Sequence, residues 1–148
     1  NSLSDVVLVE ALYKAAKAGV QVHLIIRGIF CQRIKSDAVE ATVQAISIVD
    51  QYLEHARVMI FSRGGDPLVY ISSADWMVRN LDHRLEVATP VYDARIKQEL
   101  IDLIHIQLAD NQKARILEPR LSNQYATTGR KKIRSQEQTY VFLRSKTR

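Results

Sequence analysis

The sequence predicts an α/β domain in which a mixed β-sheet packs against helices, and three observations carry that expectation. A helical stretch passes into a β-branched run across one glycine; two strand-like runs flank the turn-rich RGGDP; a long amphipathic helix follows the last of the central strands. Helix and strand joined so tightly imply layered packing.

The elements follow in order. SDVVLVEALYKAAKAG places Val6, Leu8, Val9, Leu12, Ala15 and Ala16 at helical spacing, with Ser4 or Asp5 to cap the start and Gly19 the end. VQVHLIIRG is short, β-branched and closed by Gly28, as a buried strand requires. Residues 29–43 are weakly patterned and read as a loop with a short helix. AISIVDQYLEH reads as a short amphipathic run ending in a helical turn. RVMIF and LVYIS around RGGDP read as a β-hairpin. WMVRNLDHR is a polar helical turn, and LEVATPV a strand stopped by Pro90. DARIKQELIDLIHIQLADN is a long helix capped by Asp93, with Ile96, Leu100, Leu103, Ile104 and Leu108 along one face. An α/β domain normally opens on a strand, so a start that feeds straight into a helix predicts a cut through a larger protein.

Composition bounds the rest. With 148 residues, 47% hydrophobic and 25% charged, the chain has enough apolar material for one core. No apolar run approaches the roughly 20 residues that span a bilayer, and NSLSDVV lacks the basic start and apolar run of a secretory leader. The expected location is the cytoplasm, with peripheral placement at the inner membrane as the alternative. Cys31 is the single cysteine, which excludes an internal disulfide and a thiolate metal cluster and suggests an inert, half-buried thiol.

The net charge of +5 is unevenly placed. Residues 1–112 carry 11 Lys and Arg against 14 Asp and Glu, a net of −3; residues 113–148 carry 10 against 2, a net of +8. GRKKIR and RSKTR could grip a polyanion, while the bland alternative is a solvated chain end. The division expected is a domain over 1–115 and a basic tail with a possible helix over 116–148.

Of four histidines, His23, His83 and His105 show no metal-ligand spacing and are read as structural or surface groups. His55 differs. It stands where the chain enters the strand RVMIF, with Arg57 two residues on, and a histidine beside a guanidinium suits proton transfer next to bound phosphate. The block SSADWMVRNLDHRLEV then crowds Ser72, Ser73, Asp75, Arg79, Asn80 and Glu86 around one strand end. Polar groups at that density are costly unless they form a mutually hydrogen-bonded network. Capping and surface charge account for Ser73 and Asp75 but not for the whole set.

A strand bearing H-x-R, then a strand ending in SSAD, then RN and Glu86, resembles the half-site of the phospholipase D superfamily. HLIIRG, ISIVDQYLEHARV, GGDPLVYISSADWMVRNLDHRLEVATPV and IQLADNQKAR together resemble, more closely, the C-terminal domain of polyphosphate kinases. The resemblance covers about residues 1–115 and implies a phospholipase D-like fold. It implies transfer of the terminal phosphate of ATP to a growing polyphosphate chain, through a phosphohistidine located in another domain. It further implies that Arg27, in I-I-R-G, contacts nucleotide phosphates, and that His55, in L-E-H, touches them and acts as acid and base. ATP and ADP are then substrates, Mg2+ is expected with its ligands outside this chain, and the partners are polyphosphate, the remaining domains and, in the full enzyme, further copies of itself. Nucleic acid is not an expected partner.

The departures from the pattern matter too. No segment matches the family's phosphorylated histidine or magnesium ligands, so the chain resembles one half of an active site. H-A-R stands where the wider superfamily has H-x-K, with no aspartate at the corresponding spacing, which disfavours phosphodiester hydrolysis. Two other readings stay open: a polyanion-binding module built on the basic tail, and, weaker, a phospholipase D-like phosphodiesterase.

Overall fold

A computed structural model describes residues 1–31, 42–118, 122–127, 129 and 131–146. The short helix expected within 29–43 falls mostly on residues outside that set.

Helix α1 (Val6–Lys17) is capped by Asp5, whose carboxylate accepts from Leu8 N at 2.9 Å, and it ends before Gly19, whose φ of +89° few other residues would adopt. It lays Leu12, Tyr13 and Ala16 on Val22 and Val43, of strands β1 (Val22–Ile25) and β2 (Val43–Ile48). The two strands run parallel, and β6 (Ala114–Ile116) adds antiparallel on the far side of β2, so this sheet is mixed. Because strand side chains alternate, the opposite face collects Ile25, Ile46 and Ile48, which pack with Ala114 and Ala126.

A second sheet is wholly antiparallel: β3 (Val58–Phe61), β4 (Leu68–Ser72) and β5 (Ala88–Pro90). The predicted hairpin is β3–β4, turned by a 3-10 segment (Arg63–Gly65) with Arg63, Gly64 and Gly65 all at positive φ. A short helix, α2 (Val78–Leu81), precedes β5. Helix α3 (Ala94–Leu108) starts where expected, Asp93 accepting from Arg95 N and Ile96 N at 3.0 and 2.9 Å. Its apolar stripe is only partly covered: Leu100, Leu103, Ile104 and Leu108 are half-buried and Ile96 is exposed. Helix α4 (Ser135–Lys146) packs against α3, and Lys146 reaches Glu99 at 3.6 Å.

Residues 1–3 stitch the two sheets together. Leu3, 2% exposed, bridges in parallel to Phe30 on one side and Trp76 on the other, and Asn1 O accepts from Gly28 N at 2.8 Å. Gly28 suits this close approach, since a Cβ would displace Ser2 Oγ and stand 3.2 Å from the Asn1 carbonyl.

Three expectations are corrected. The helical turn before His55 is absent: Val43–Ile48 pairs with β1 and β6 and joins the sheet as β2, and residues 49–57 follow as irregular chain. Cys31 is exposed rather than half-buried. The described residues after 115 do not stand off as a solvated end. Residues 122–127 run along β6, with Ala126 N donating to Ala114 O at 2.9 Å, and Ser135 at the start of α4 is 1% exposed.

Candidate active site

The site is assembled where chain ends of both sheets meet. Arg27 leaves the C-terminal end of β1. His55 and Arg57 lead into β3, whose start lies beside the end of β4, and Ser72 N donates to Arg57 O at 2.9 Å. Antiparallel pairing therefore sets His55 and Arg57 against the segment 72–75.

Asp75 is the hub. Only 5% exposed, it accepts from Arg57 through two bonds, Nε to Oδ1 at 3.2 Å and Nη2 to Oδ2 at 3.1 Å, and from Asn1 Nδ2 and Ser2 N, both at 3.1 Å. A two-point arginine–carboxylate pair fixes the plane of the guanidinium as well as its place. Arg57 turns Nη1 toward His55, 3.2 Å from its carbonyl and 3.3 Å from Nδ1. Guanidinium only donates, so this contact makes Nδ1 the acceptor and leaves Nε2 to carry the proton of the neutral ring. From the other side Arg27 donates Nη2 to Asn1 Oδ1 at 2.7 Å and Nε to Glu54 O at 2.9 Å. Arg27, Asn1, Asp75, Arg57 and His55 thus form one continuous hydrogen-bonded chain.

The remaining predicted residues divide. Ser73 Oγ donates to Glu86, Asn80 Nδ2 donates to Glu86 at 2.7 Å, and Ser73 Oγ accepts from Val87 N at 3.0 Å, which locks α2 and the approach to β5 onto the end of β4. Ser72 Oγ caps its own turn by accepting from Ala74 N at 3.0 Å. Arg79 is exposed and joins neither group. The predicted network therefore exists as two adjoining clusters, and the side chains of Ser72, which caps its own turn, and of Arg79 stand outside both.

Sequence reasoning missed Asn1 and the residues that hold the chain before His55. Asp50, its side chain 2% exposed, receives Arg134 at 2.8 and 2.7 Å, and Gln136 reaches Tyr52 and Glu54. No local signal could have found them, since these partners lie 82 to 84 residues apart. Of the ten cations after residue 112, Lys113, Arg115, Arg134 and Lys146 are engaged internally, Arg115 stacking on the Tyr125 ring and Lys113 reaching Asp50. A groove of about 400 Å³ beside β2 and β6, lined by Ser47, Lys113, Arg115 and Leu117 among others, contains none of the predicted site residues.

The carboxylates show how the site responds to acid. Burial alone would raise Asp75, but hydrogen bonds from Arg57 and Asn1 outweigh it and hold the group below its ordinary value of 3.8. Asp50 is lowered by its bonds to Arg134, and Asp110, against the opposing effect of burial, by backbone N–H donors. Folded values below unfolded ones stabilise the protein above the unfolded value, and that stability is lost as pH falls through the depressed folded values. The unfolding midpoint is expected to stay level from about pH 7 to 5 and to drop below about pH 4; a midpoint that rises on acidification would contradict the assigned pairs.

Among the described residues no group of three or more His, Cys, Asp or Glu is placed to hold a metal ion, and Asp75 and Glu86 are both taken up by side-chain donors. Nor is any helix among them long and apolar enough to cross a membrane.

Fold and site together define an α/β domain that presents a histidine flanked by two arginines at the junction of two sheets. The chain belongs to the polyphosphate kinase C-terminal domain 2 family, whose model matches residues 1–136. It is 49% identical over 147 residues to a polyphosphate kinase of Escherichia coli strain K12 and 49% over 146 residues to one of Vibrio parahaemolyticus. Each comparison covers 98% of this chain and 21% of the relative. The crystal structure of polyphosphate kinase from Porphyromonas gingivalis superimposes with a TM-score of 0.94 at 41% identity, over 99% of this chain and 22% of that one. The chain thus spans about a fifth of the length of these relatives.

Proposed function

We propose that this domain supplies the nucleotide-phosphate and acid–base half of an ATP:polyphosphate phosphotransferase, whose nucleophilic half, a phosphorylated histidine, lies outside the chain. The observation that carries the proposal is the single hydrogen-bonded chain from Arg27 to His55 through Asn1, Asp75 and Arg57. Phosphoryl transfer needs positioning and charge neutralisation more than covalent help. Arg27 brings a positive charge for the phosphate oxygens of ATP. Arg57, fixed by Asp75, orients the His55 ring so that Nε2–H is the donor available to a phosphate oxygen. As the bond between the terminal phosphorus and the ADP oxygen breaks, that donor meets the charge growing on the leaving side.

Magnesium is assigned to the nucleotide and to ligands outside this chain, and no step here passes through it. The working partners are ATP, polyphosphate, the remaining domains and, in the assembled enzyme, further copies; the cytoplasm remains the proposed location.

In the full-length enzyme carrying this domain, Arg27→Ala is expected to raise KM for ATP at least about tenfold, the loss of one charge-assisted phosphate contact. Unchanged KM and turnover would remove Arg27 from the site. The isolated 148-residue chain, given ATP and Mg2+, is expected to make no polyphosphate, and steady synthesis by it would overturn the division of labour. For the polyanion-binding reading, truncation after Asn111 is not a clean test because it deletes β6 and the buried Ala114. Lys131→Glu with Lys132→Glu tests it instead: both side chains are exposed, and the expected result is polyphosphate synthesis within about twofold of the parent.

A further inference from the structure

We propose that Gln136, on the first turn of α4, is a positioning residue for His55, a role that rests on the phosphotransferase reading above. The segment 49–57 that carries His55 has no regular secondary structure, so no ladder of backbone bonds fixes its conformation. Burial does not hold it: Tyr52 is 66% exposed and Leu53 70%. One side chain supplies what a neighbouring strand would. Gln136 Oε1 accepts from Tyr52 N at 3.0 Å, and its Nε2 donates to Tyr52 O at 2.8 Å and to Glu54 Oε1 at 3.0 Å.

The clamp bears on the backbone that leads directly into His55. Glu54 O accepts from Arg27 Nε at 2.9 Å, and the next residue is His55, whose carbonyl and ring face Arg57. Gln136 is itself anchored. Arg134 grips Asp50 with two bonds at the start of the same segment, and the buried Asp110 accepts from Ser135 N at 2.7 Å. The basic stretch before α4 therefore serves, at Arg134, to fasten a helix to the His55 segment.

The experiment is a double-mutant cycle in the full-length enzyme carrying this domain, using Gln136→Ala, His55→Ala and both together, read as single-turnover phosphoryl transfer from ATP. Gln136→Ala is expected to slow the parent about tenfold, since small misplacement of a reacting group is costly, and to cost less than about twofold once His55 is gone. Amide exchange at Tyr52 is expected to quicken while the global unfolding midpoint holds. An equal loss in both backgrounds, or none in the parent, overturns the role of Gln136 and leaves the phosphotransferase reading standing. His55→Ala with an unaltered rate removes that reading, and the inference with it. Where the alanine variant fails to accumulate, Gln136→Glu, which keeps the acceptor for Tyr52 N and loses both donors, takes its place with the same expected result.

Discussion

Replacing Asp75 with alanine is expected to abolish the site's geometry and to cost the fold about 3–5 kcal/mol, because it strips a half-buried guanidinium of the carboxylate it is bonded to and leaves the charge poorly compensated. The Arg57 side chain is 17% exposed and Asp75's 6%, so solvent cannot take over the contact. Asn1 Nδ2 and Ser2 N lose their acceptor in the same step. Asp75→Asn separates the two effects. It keeps the shape and one acceptor oxygen but presents an NH2 to a second donor, so it should lose less stability while still freeing Arg57 from its plane. The rate of phosphoryl transfer in the full-length enzyme is expected to fall by about 10²-fold or more in both variants, the scale of a reacting group displaced by about 1 Å. Denaturant unfolding and turnover measured on the same samples check this. A stable Asp75→Asn enzyme with the parent rate would show that Asp75 does not position His55.

The second large effect belongs to Asp110, which is fully buried and touches no part of the site. Its Oδ1 accepts from Gln112 N, Lys113 N and Ala114 N at 2.9, 2.7 and 3.0 Å, and its Oδ2 from Ser135 N at 2.7 Å. One carboxylate thereby shapes the turn after α3, starts β6 and holds the first residue of α4, where a negative charge also suits the helix N-terminus. Asp110→Ala strands four donors, and the expected loss is about 4 kcal/mol. For a chain of this size that is a drop of roughly 10–15 °C in the thermal midpoint. Asp110→Asn keeps the three bonds to one oxygen and is expected to lose about half as much, through the donor it turns toward Ser135 N. If alanine cost less than about 1 kcal/mol, the turn and α4 would have to be held by other contacts.

The parts of this fold that were legible in the sequence are those whose determinants are local. Asp5 and Asp93 cap the helices they precede, Gly19 closes α1, and RGGDP turns a hairpin, because each acts within a few residues. The candidate site was legible for the same reason in part. His55 and Arg57 sit two apart, and Ser72 to Glu86 is one stretch, so the crowding of polar groups showed before any contact was known. Arg79 broke that pattern because sequence proximity does not say which side of a one-turn helix faces the cluster. The chain from Ile46 to His55 was misread as amphipathic helix at its end because the pairing of β2 with both β1 and β6 decides the matter, and that pairing is non-local. Asn1, which bridges Arg27 to Asp75, and Gln136, which replaces a strand neighbour, act across 26 to 84 residues and leave no local trace. Charge misled at the tail for a related reason: a run of cations looks alike whether it meets solvent or, as Arg134 does, a buried aspartate.

The central claim is that His55 acts on the phosphate under transfer while the chain from Arg27 to Arg57 holds it in place. Its most direct measurement is single-turnover phosphoryl transfer from labelled ATP in the full-length enzyme bearing His55→Ala, at saturating nucleotide. The rate constant is expected to fall by about 10²–10⁴-fold, the usual contribution of a positioned acid–base group. A His55→Ala enzyme that transfers phosphate at the parent rate would contradict the account.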